Sequence, residues 1–366
     1  MSESTRTRPG DSARPLHEAY DTALLDLDGV VYAGGEAIAH AVESLDVARA
    51  AGMHLAYVTN NALRTPQTVA EHLTSLGAPA RPDDVINSAQ AVARLISEQV
   101  PPGARVLAIG GEGLRVALRE RGLVPVDSAD EDIAAVVQGY GGPQQPWERL
   151  MEAGYAVARG VPWFASNTDL TIPTARGIAP GNGAAVEVVR FVAGGAPQVA
   201  GKPQPPMHRE TILRTGAKHP LVVGDRLDTD IEGANGGGVD SLLVLTGVTD
   251  AAQLLAAEPV YRPTFVAADL RGMLTAHPEV RAADEGFVCG GWTARVRDAR
   301  AEIDGAGDPL DGLRALCAAT WTAGDAERER TGEPARRAGG AGPGLSAAHR
   351  DGDRINADKA LAKLGL

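Results

Sequence analysis

Thr22-Ala23-Leu24-Leu25-Asp26-Leu27-Asp28-Gly29-Val30-Val31 is the stretch on which the fold depends. Its short apolar run reads as a buried strand, and the run ends in two carboxylates one residue apart followed by a glycine. Side chains at i and i+2 of a strand share a face, so Asp26 and Asp28 are expected to project together while Leu27 packs the other way. Two like charges that close each resist ionising beside the other, and a nearby cation removes that penalty. The simpler reading is a strand closed by an Asp-Gly turn, a common ending, and on this stretch alone it is the preferred one.

Outward from this strand the chain alternates. Ala37–Ala51 carries Ile38, Val42 and Leu45 near helical spacing and stops at Gly52. His54–Val58 is a second apolar strand ending in Thr59-Asn60-Asn61, and Pro66 opens a helix that closes at Gly77. Strand follows helix again at Arg105–Ile109, Ile133–Gln138 and Trp163–Ser166, with helices at Ala89–Glu98, Glu112–Arg121 and Trp147–Ala158 between them. This rhythm predicts an α/β fold with parallel sheets and crossover helices. Residues Asn167 to Gly183 are dense in Pro, Gly, Asn and Thr and read as a long loop returning from an inserted domain. The pattern then resumes with helices at Ala184–Ala193 and Pro206–Thr215, a strand at Leu221–Val223, a helix from Asp228, and strands at Ser241–Leu245 and Thr264–Ala267.

The expected organisation is a disordered leader over 1–16, a core built from 17–86 and 177–277, an inserted domain over 87–176, and a partly disordered C-terminal extension over 278–366. In the extension, Phe287–Ile303 reads as one or two strands, Pro309–Thr322 as a helix, Gly324–Asp353 as mobile, and Ile355–Leu364 as a short helix. A chain of 366 residues exceeds what one core serves. The formal net charge of −12 argues against nucleic acid or an anionic membrane as partner. Two cysteines, Cys289 and Cys317, form no paired motif and read as packing residues of a protein in a reducing, cytoplasmic setting. The polar N-terminus lacks the apolar region of a secretory signal, and no apolar run reaches membrane-spanning length.

Four strand ends carry polar groups: Asp26 with Asp28, Thr59 with Asn60, Lys202, and Asp225. Sites in parallel α/β sheets form outside the carboxyl ends of the strands, so these groups are expected to converge. Asp26, Asp28 and Asp225 are hard oxygen ligands suited to Mg2+, Thr59 offers a hydroxyl donor, and Lys202 offers a compact cation. Together they have the chemistry of phosphoryl transfer. Each also has a plainer reading: Thr59-Asn60-Asn61 as a capping turn, Lys202 as a solvated loop lysine, Asp225 and Asp228 as an Asx turn and an N-cap. Four such coincidences at successive strand ends are much less frequent than one. Gly181-Asn182-Gly183 superficially suggests a dinucleotide fingerprint, but no strand immediately precedes it and the third glycine is absent, so that reading is rejected.

Asp-Leu-Asp-Gly-Val-Val-Tyr (26–32), Val-Thr-Asn-Asn (58–61), Gly-Lys-Pro (201–203) and Val-Gly-Asp-Arg-Leu-Asp-Thr-Asp (223–230) resemble the four ordered motifs of the haloacid dehalogenase (HAD) superfamily. The likeness is nearest to its NagD-like, p-nitrophenylphosphatase-type branch and covers roughly Tyr20 to His277. It implies a Rossmann-like parallel-sheet core, a large α/β cap inserted between the second and third motifs, and dependence on Mg2+. It further implies that Asp26 is the nucleophile and Asp28 the general acid and base. By the same likeness, Asp26, the Asp28 backbone carbonyl and Asp225 hold the metal, and Thr59, Asn60 and Lys202 bind the phosphoryl group. Asp230 would orient metal waters or Lys202 from behind, and Asn167 and Asp169, within Ser166-Asn167-Thr168-Asp169, would belong to a cap loop facing the substrate.

The substrate implied is a small phosphorylated metabolite. The extension, including Leu-Arg-Ala-Leu-Cys-Ala-Ala-Thr-Trp (313–321), is similar to that of actinobacterial members of the branch. This places glycerol 3-phosphate first, ahead of phosphoglycolate, pyridoxal phosphate and nucleoside monophosphates. Cap-mediated dimers are frequent in the branch, which makes a homodimer an expected assembly. A phospho-aspartate switch module also gathers acids, a Thr or Ser and a Lys-Pro on a parallel sheet. Such modules are short, lack an inserted domain, and have adjacent acids where Asp26 and Asp28 alternate.

Overall fold

The computed structural model describes residues 6–130, 132–174, 176–332 and 355–366. The chain divides into two compact units, one of 1–55 with 217–366 and the other of 56–216.

In the first unit four parallel strands lie in the order Phe265–Ala267, Asp240–Val244, Pro220–Gly224, Thr22–Leu25. Their side chains are almost all buried, as expected of a parallel sheet covered on both faces. The opening strand is shorter than expected: it ends at Leu25 and does not reach the two carboxylates. Asp26 still donates its N–H to the Val223 carbonyl at 2.8 Å. The Leu27 carbonyl, however, accepts from Val30, Val31 and Tyr32, so the chain curls back on itself there. Asp26 and Asp28 therefore stand in the turn after the strand, and pleat alternation does not govern them.

The C-terminal segment is an integral part of this unit. Arg281–Ala283, Gly286–Cys289, Trp292–Arg297 and Arg300–Gly305 form a four-stranded antiparallel sheet where one or two strands were expected. The helix Pro309–Thr331 packs on it and runs well past the predicted end at Thr322. Trp292, Leu313, Leu316, Trp321 and Leu364 share one apolar cluster with Leu227, Leu243, Tyr261 and Val266 of the parallel sheet and its helices. Cys289 and Cys317 are both buried packing residues within that cluster. Residues 333–354, most of the segment read as mobile, lie outside the described residues, and Asp358–Leu364 forms the terminal helix. Nor is the leader loose from Arg6 on: Gly10 N–H donates to the Thr264 carbonyl at 2.7 Å, Ser12 N–H to the His277 carbonyl at 3.0 Å, and Leu16 is buried. These are backbone bonds, to which a polar composition gives no clue.

In the second unit a five-stranded parallel sheet has the order Gln198–Val199, Trp163–Ala165, Ala135–Gln138, Arg105–Ile109, Val124–Val126. Leu107, Ile109, Val136, Trp163, Val186 and Val189 fill its core. Residues Tyr57–Thr59 of the strand His54–Thr59 pair in parallel with Val85–Asn87. The expected loop from Asn167 to Gly183 contains an antiparallel hairpin, Thr171–Thr174 with Gly177–Pro180, whose side chains are largely exposed and so gave no apolar pattern; a strand thus does directly precede Gly181, contrary to expectation. Among the described residues no helix is long and apolar enough to cross a membrane.

Candidate active site

The first unit gathers carboxylates. One carboxylate oxygen from each of Asp26, Asp225 and Asp230 lies within 4.8 Å of the other two. Asp225 and Asp230 are 1% and 2% exposed, and Asp26 is half-buried. Asp225 follows the strand Pro220–Gly224, which neighbours Thr22–Leu25, so parallel pairing delivers two of the acids side by side. Asp230 arrives on a single π-helical turn, Leu227–Ile231, that runs into the α-helix Glu232–Gly237, so the helix expected from Asp228 is present with a widened first turn. Asp228 is instead engaged by Arg226 in a two-bond ion pair at 2.9 and 3.1 Å.

Glycines make the room these acids need. Gly29 has φ +84°, and a Cβ there would lie 2.5 Å from Asp225 Oδ2. A Cβ on Gly224 would lie 2.2 Å from that of Asp230. Val248 N–H donates to Asp225 Oδ2 at 2.7 Å, Arg226 N–H donates to Asp230 Oδ2 at 3.2 Å, and Thr246 Oγ1 donates to the Gly29 carbonyl at 2.6 Å. Buried charges are normally paired or bound to metal, and three converging hard oxygen donors fit a divalent cation such as Mg2+. Asp28 is exposed, one residue beyond buried Leu27.

The second unit gathers the other expected residues. Thr59 is buried at the end of its strand, and its Oγ1 accepts from Asn61 N–H at 3.1 Å. The Asn61 carboxamide accepts from Leu63 and Arg64 N–H groups, so the capping-turn reading holds for that residue. Asn60 serves otherwise. Its Nδ2 donates to the Lys202 carbonyl at 3.1 Å and to both oxygens of Asp169 at 3.2 Å, and its Oδ1 accepts the Lys202 N–H at 2.8 Å. Lys202 Nζ donates to the Val58 carbonyl at 3.1 Å, which lays the ammonium along the end of the Thr59 strand. The Asn60 carbonyl in turn accepts from Ser88 Oγ at 2.6 Å and Asn167 Nδ2 at 2.7 Å.

Asn182 and Gly183, of the Gly-Asn-Gly segment rejected as a dinucleotide fingerprint, complete this network. Asn182 is buried and donates to the Asn167 carbonyl at 2.7 Å, and Gly183 N–H donates to the Asp169 carbonyl at 2.9 Å. The Gly-Asn-Gly segment is thus the clasp of the 166–169 loop. Gly201 lies so close that a Cβ would meet the Ser166 carbonyl at 2.4 Å and Asn60 Oδ1 at 2.6 Å. The helix after Lys202, Pro205–Thr215, carries Glu210, whose buried carboxylate is bound by Arg94, Arg121 and Arg214. Burial pushes that carboxyl up, but the Arg94 and Arg214 guanidiniums outweigh it and hold it below the usual range.

Comparisons with known proteins agree with this chemistry. The haloacid dehalogenase-like hydrolase family matches residues 23–124, and a HAD-hydrolase-like family matches residues 199–273. A GCN5-related N-acetyltransferase-like domain matches residues 289–341. The D-glycerol 3-phosphate phosphatase of Mycobacterium tuberculosis is 45% identical over 260 residues, covering 71% of this chain and 72% of that protein. The acid sugar phosphatase of Staphylococcus aureus is 40% identical over 232 residues, covering 63% of this chain and 88% of that one. Among solved structures, the M. tuberculosis glycerol phosphate phosphatase in complex with magnesium superposes with a TM-score of 0.77 at 41% identity. That match covers 84% of this chain and 92% of the other.

Proposed function

The chain belongs to the haloacid dehalogenase-like hydrolases, and from that membership we propose that it hydrolyses glycerol 3-phosphate through an aspartyl-phosphate on Asp26. It is a phosphatase, and the phospho-switch alternative falls away with the family. What carries the reaction class is the convergence of Asp26, Asp225 and Asp230 just beyond two neighbouring parallel strands. What supports the substrate is the similarity to the mycobacterial D-glycerol 3-phosphate phosphatase.

The roles follow the chemistry of each group. An Asp26 carboxylate oxygen attacks phosphorus, the bond to the glycerol oxygen breaks, and Asp28 gives that oxygen its proton. Asp28, now a carboxylate, takes a proton from the water that attacks the aspartyl-phosphate, releasing phosphate and restoring Asp26. The exposure of Asp28 suits a group that exchanges protons with leaving group and water. Thr59 and Lys202 bind phosphoryl oxygens, the lysine as a compact cation. Asp26, the Asp28 carbonyl and Asp225 would hold Mg2+, and Asp230, whose carboxylate lies within 4.8 Å of those of Asp26 and Asp225, would support them from behind. When bound, the ion offsets the charge that builds on the transferring group.

The test is phosphate release from glycerol 3-phosphate, phosphoglycolate, pyridoxal phosphate, nucleoside monophosphates and a sugar phosphate at equal concentration with Mg2+. The highest kcat/KM is expected for glycerol 3-phosphate, and negligible turnover of it removes that substrate. A cytoplasmic homodimer that binds neither nucleic acid nor membrane belongs to the same proposal. It is supported by the charge of −12 and by exposed Trp147, Met151 and Tyr155 at four-residue spacing on one helix. Light scattering in solution tests the assembly.

A further inference from the structure

We propose that Asp169 is a positioning residue that acts through the Asn60 carboxamide on Lys202, and not a contact to the leaving group. This rests on the reading that Lys202 binds the phosphoryl group. The Asn60 side chain behaves as a strand partner for one residue, donating to the Lys202 carbonyl at 3.1 Å and accepting its N–H at 2.8 Å. A carboxamide can make that pair only when its plane is turned correctly. Asp169 selects the turn: both its oxygens lie 3.2 Å from Asn60 Nδ2, a place where the flipped amide would put its own oxygen against a carboxylate.

The loop that carries Asp169 is built for rigidity. Asn167 Oδ1 accepts the Asp169 N–H at 3.2 Å and Asn167 Nδ2 donates to the Asn60 carbonyl at 2.7 Å. Asn182 and Gly183 clasp it from the far side, and a Cβ at Gly183 would meet the Thr168 carbonyl at 2.2 Å. The Lys202 backbone is therefore fixed by a carboxamide, and that carboxamide by a carboxylate. With Nζ bonded to the Val58 carbonyl, the lysine is held at both ends. A cation placed this way needs little reorganisation when charge develops on a phosphoryl oxygen, and a small misplacement of such a group is costly.

The experiment compares Asp169→Ala, Asp169→Asn and Lys202→Ala on glycerol 3-phosphate and on p-nitrophenyl phosphate, whose leaving groups share no shape. Asp169→Ala is expected to lower kcat by about ten- to a hundredfold on both substrates. Asp169→Asn, which keeps an acceptor for Asn60, is expected to stay within about threefold of the parent. In the Lys202→Ala background Asp169→Ala should cost less than about threefold more, because the two act as one unit. Hydrogen exchange of the Lys202 amide, which needs no turnover, should quicken in Asp169→Ala. A loss confined to the KM of glycerol 3-phosphate, or unchanged exchange at Lys202, overturns the proposal. Should the parent release phosphate from neither substrate, the functional reading falls while the exchange measurement still decides the coupling.

Discussion

A Cβ on Gly247 would stand 1.9 Å from Asp225 Oδ2, so the buried carboxylate rests directly against this glycine. The Val248 N–H, one residue on, holds the same oxygen at 2.7 Å. In Gly247→Ala the carboxylate must shift relative to Asp26 and Asp230. Disturbing the support of a metal ligand typically costs 10- to 100-fold in affinity, and about that increase is expected in the Mg2+ concentration for half-maximal activity. Magnesium titration of phosphate release checks it, and an unchanged half-saturation point refutes the role of Gly247.

Asp26→Asn separates chemistry from folding. Asp26 is half-buried at the end of its strand, its N–H bond to Val223 is a backbone bond, and the substitution is isosteric. Loss of the attacking carboxylate is expected to lower kcat by at least about a thousandfold. Removing one of three crowded carboxylates should leave the melting temperature equal or slightly higher without Mg2+. Turnover near the parent rate would show that another group attacks.

Both sets of site residues were legible because strand ends are legible: apolar runs stop where polar side chains begin. What escaped were features fixed by distant partners. Nothing local marks Gly247 or Gly201 as packing surfaces, since the atoms they touch come from other elements. The helix Pro309–Thr331 was cut short at Thr322 because Gly324 and the charged residues after it look like an ending. Its continuation is supported by Asp325, which pairs with an arginine 63 residues away. Asn167 and Asp169, expected in a cap loop, make hydrogen bonds to Asn60 that their place in that loop does not foretell.

That arginine, Arg262, is 1% exposed and uses its whole guanidinium. It donates to Asp325 at 2.7 and 2.8 Å, to the Arg6 and Ala257 carbonyls at 2.9 and 3.0 Å, and to the Trp321 carbonyl at 3.3 Å. The leader, the parallel-sheet side and the C-terminal helix are thereby tied at one point. Arg262→Met leaves Asp325 with Arg328 as its remaining arginine and three carbonyls to be resatisfied, and is expected to cost about 1–3 kcal/mol of stability. Arg262→Lys, with three donors in place of five, should recover less than half of that. Urea denaturation measures both; a Lys variant as stable as the parent would show that charge alone suffices.

His277 makes the first unit sensitive to acid. The ring is 3% exposed and 4.9 Å from the Phe265 ring, with Nε2 donating to the Gly272 carbonyl at 2.9 Å and Nδ1 facing Arg314 at 3.5 Å. Burial, chiefly, and the Arg314 guanidinium hold the imidazole neutral down to about 4, against an ordinary value of 6.5; the Gly272 bond opposes them only in part. Because the folded state resists the proton that the unfolded chain accepts, this stability is complete above about pH 6.5 and declines as the pH falls toward 4. Between pH 7.5 and pH 5 the loss is about 2 kcal/mol. His277→Gln keeps a donor for Gly272 but does not titrate, so its stability relative to the parent should improve by that amount over the same interval. Unfolding curves that stay parallel from pH 7.5 to pH 5 would mean that the buried imidazole is protonated in the folded protein.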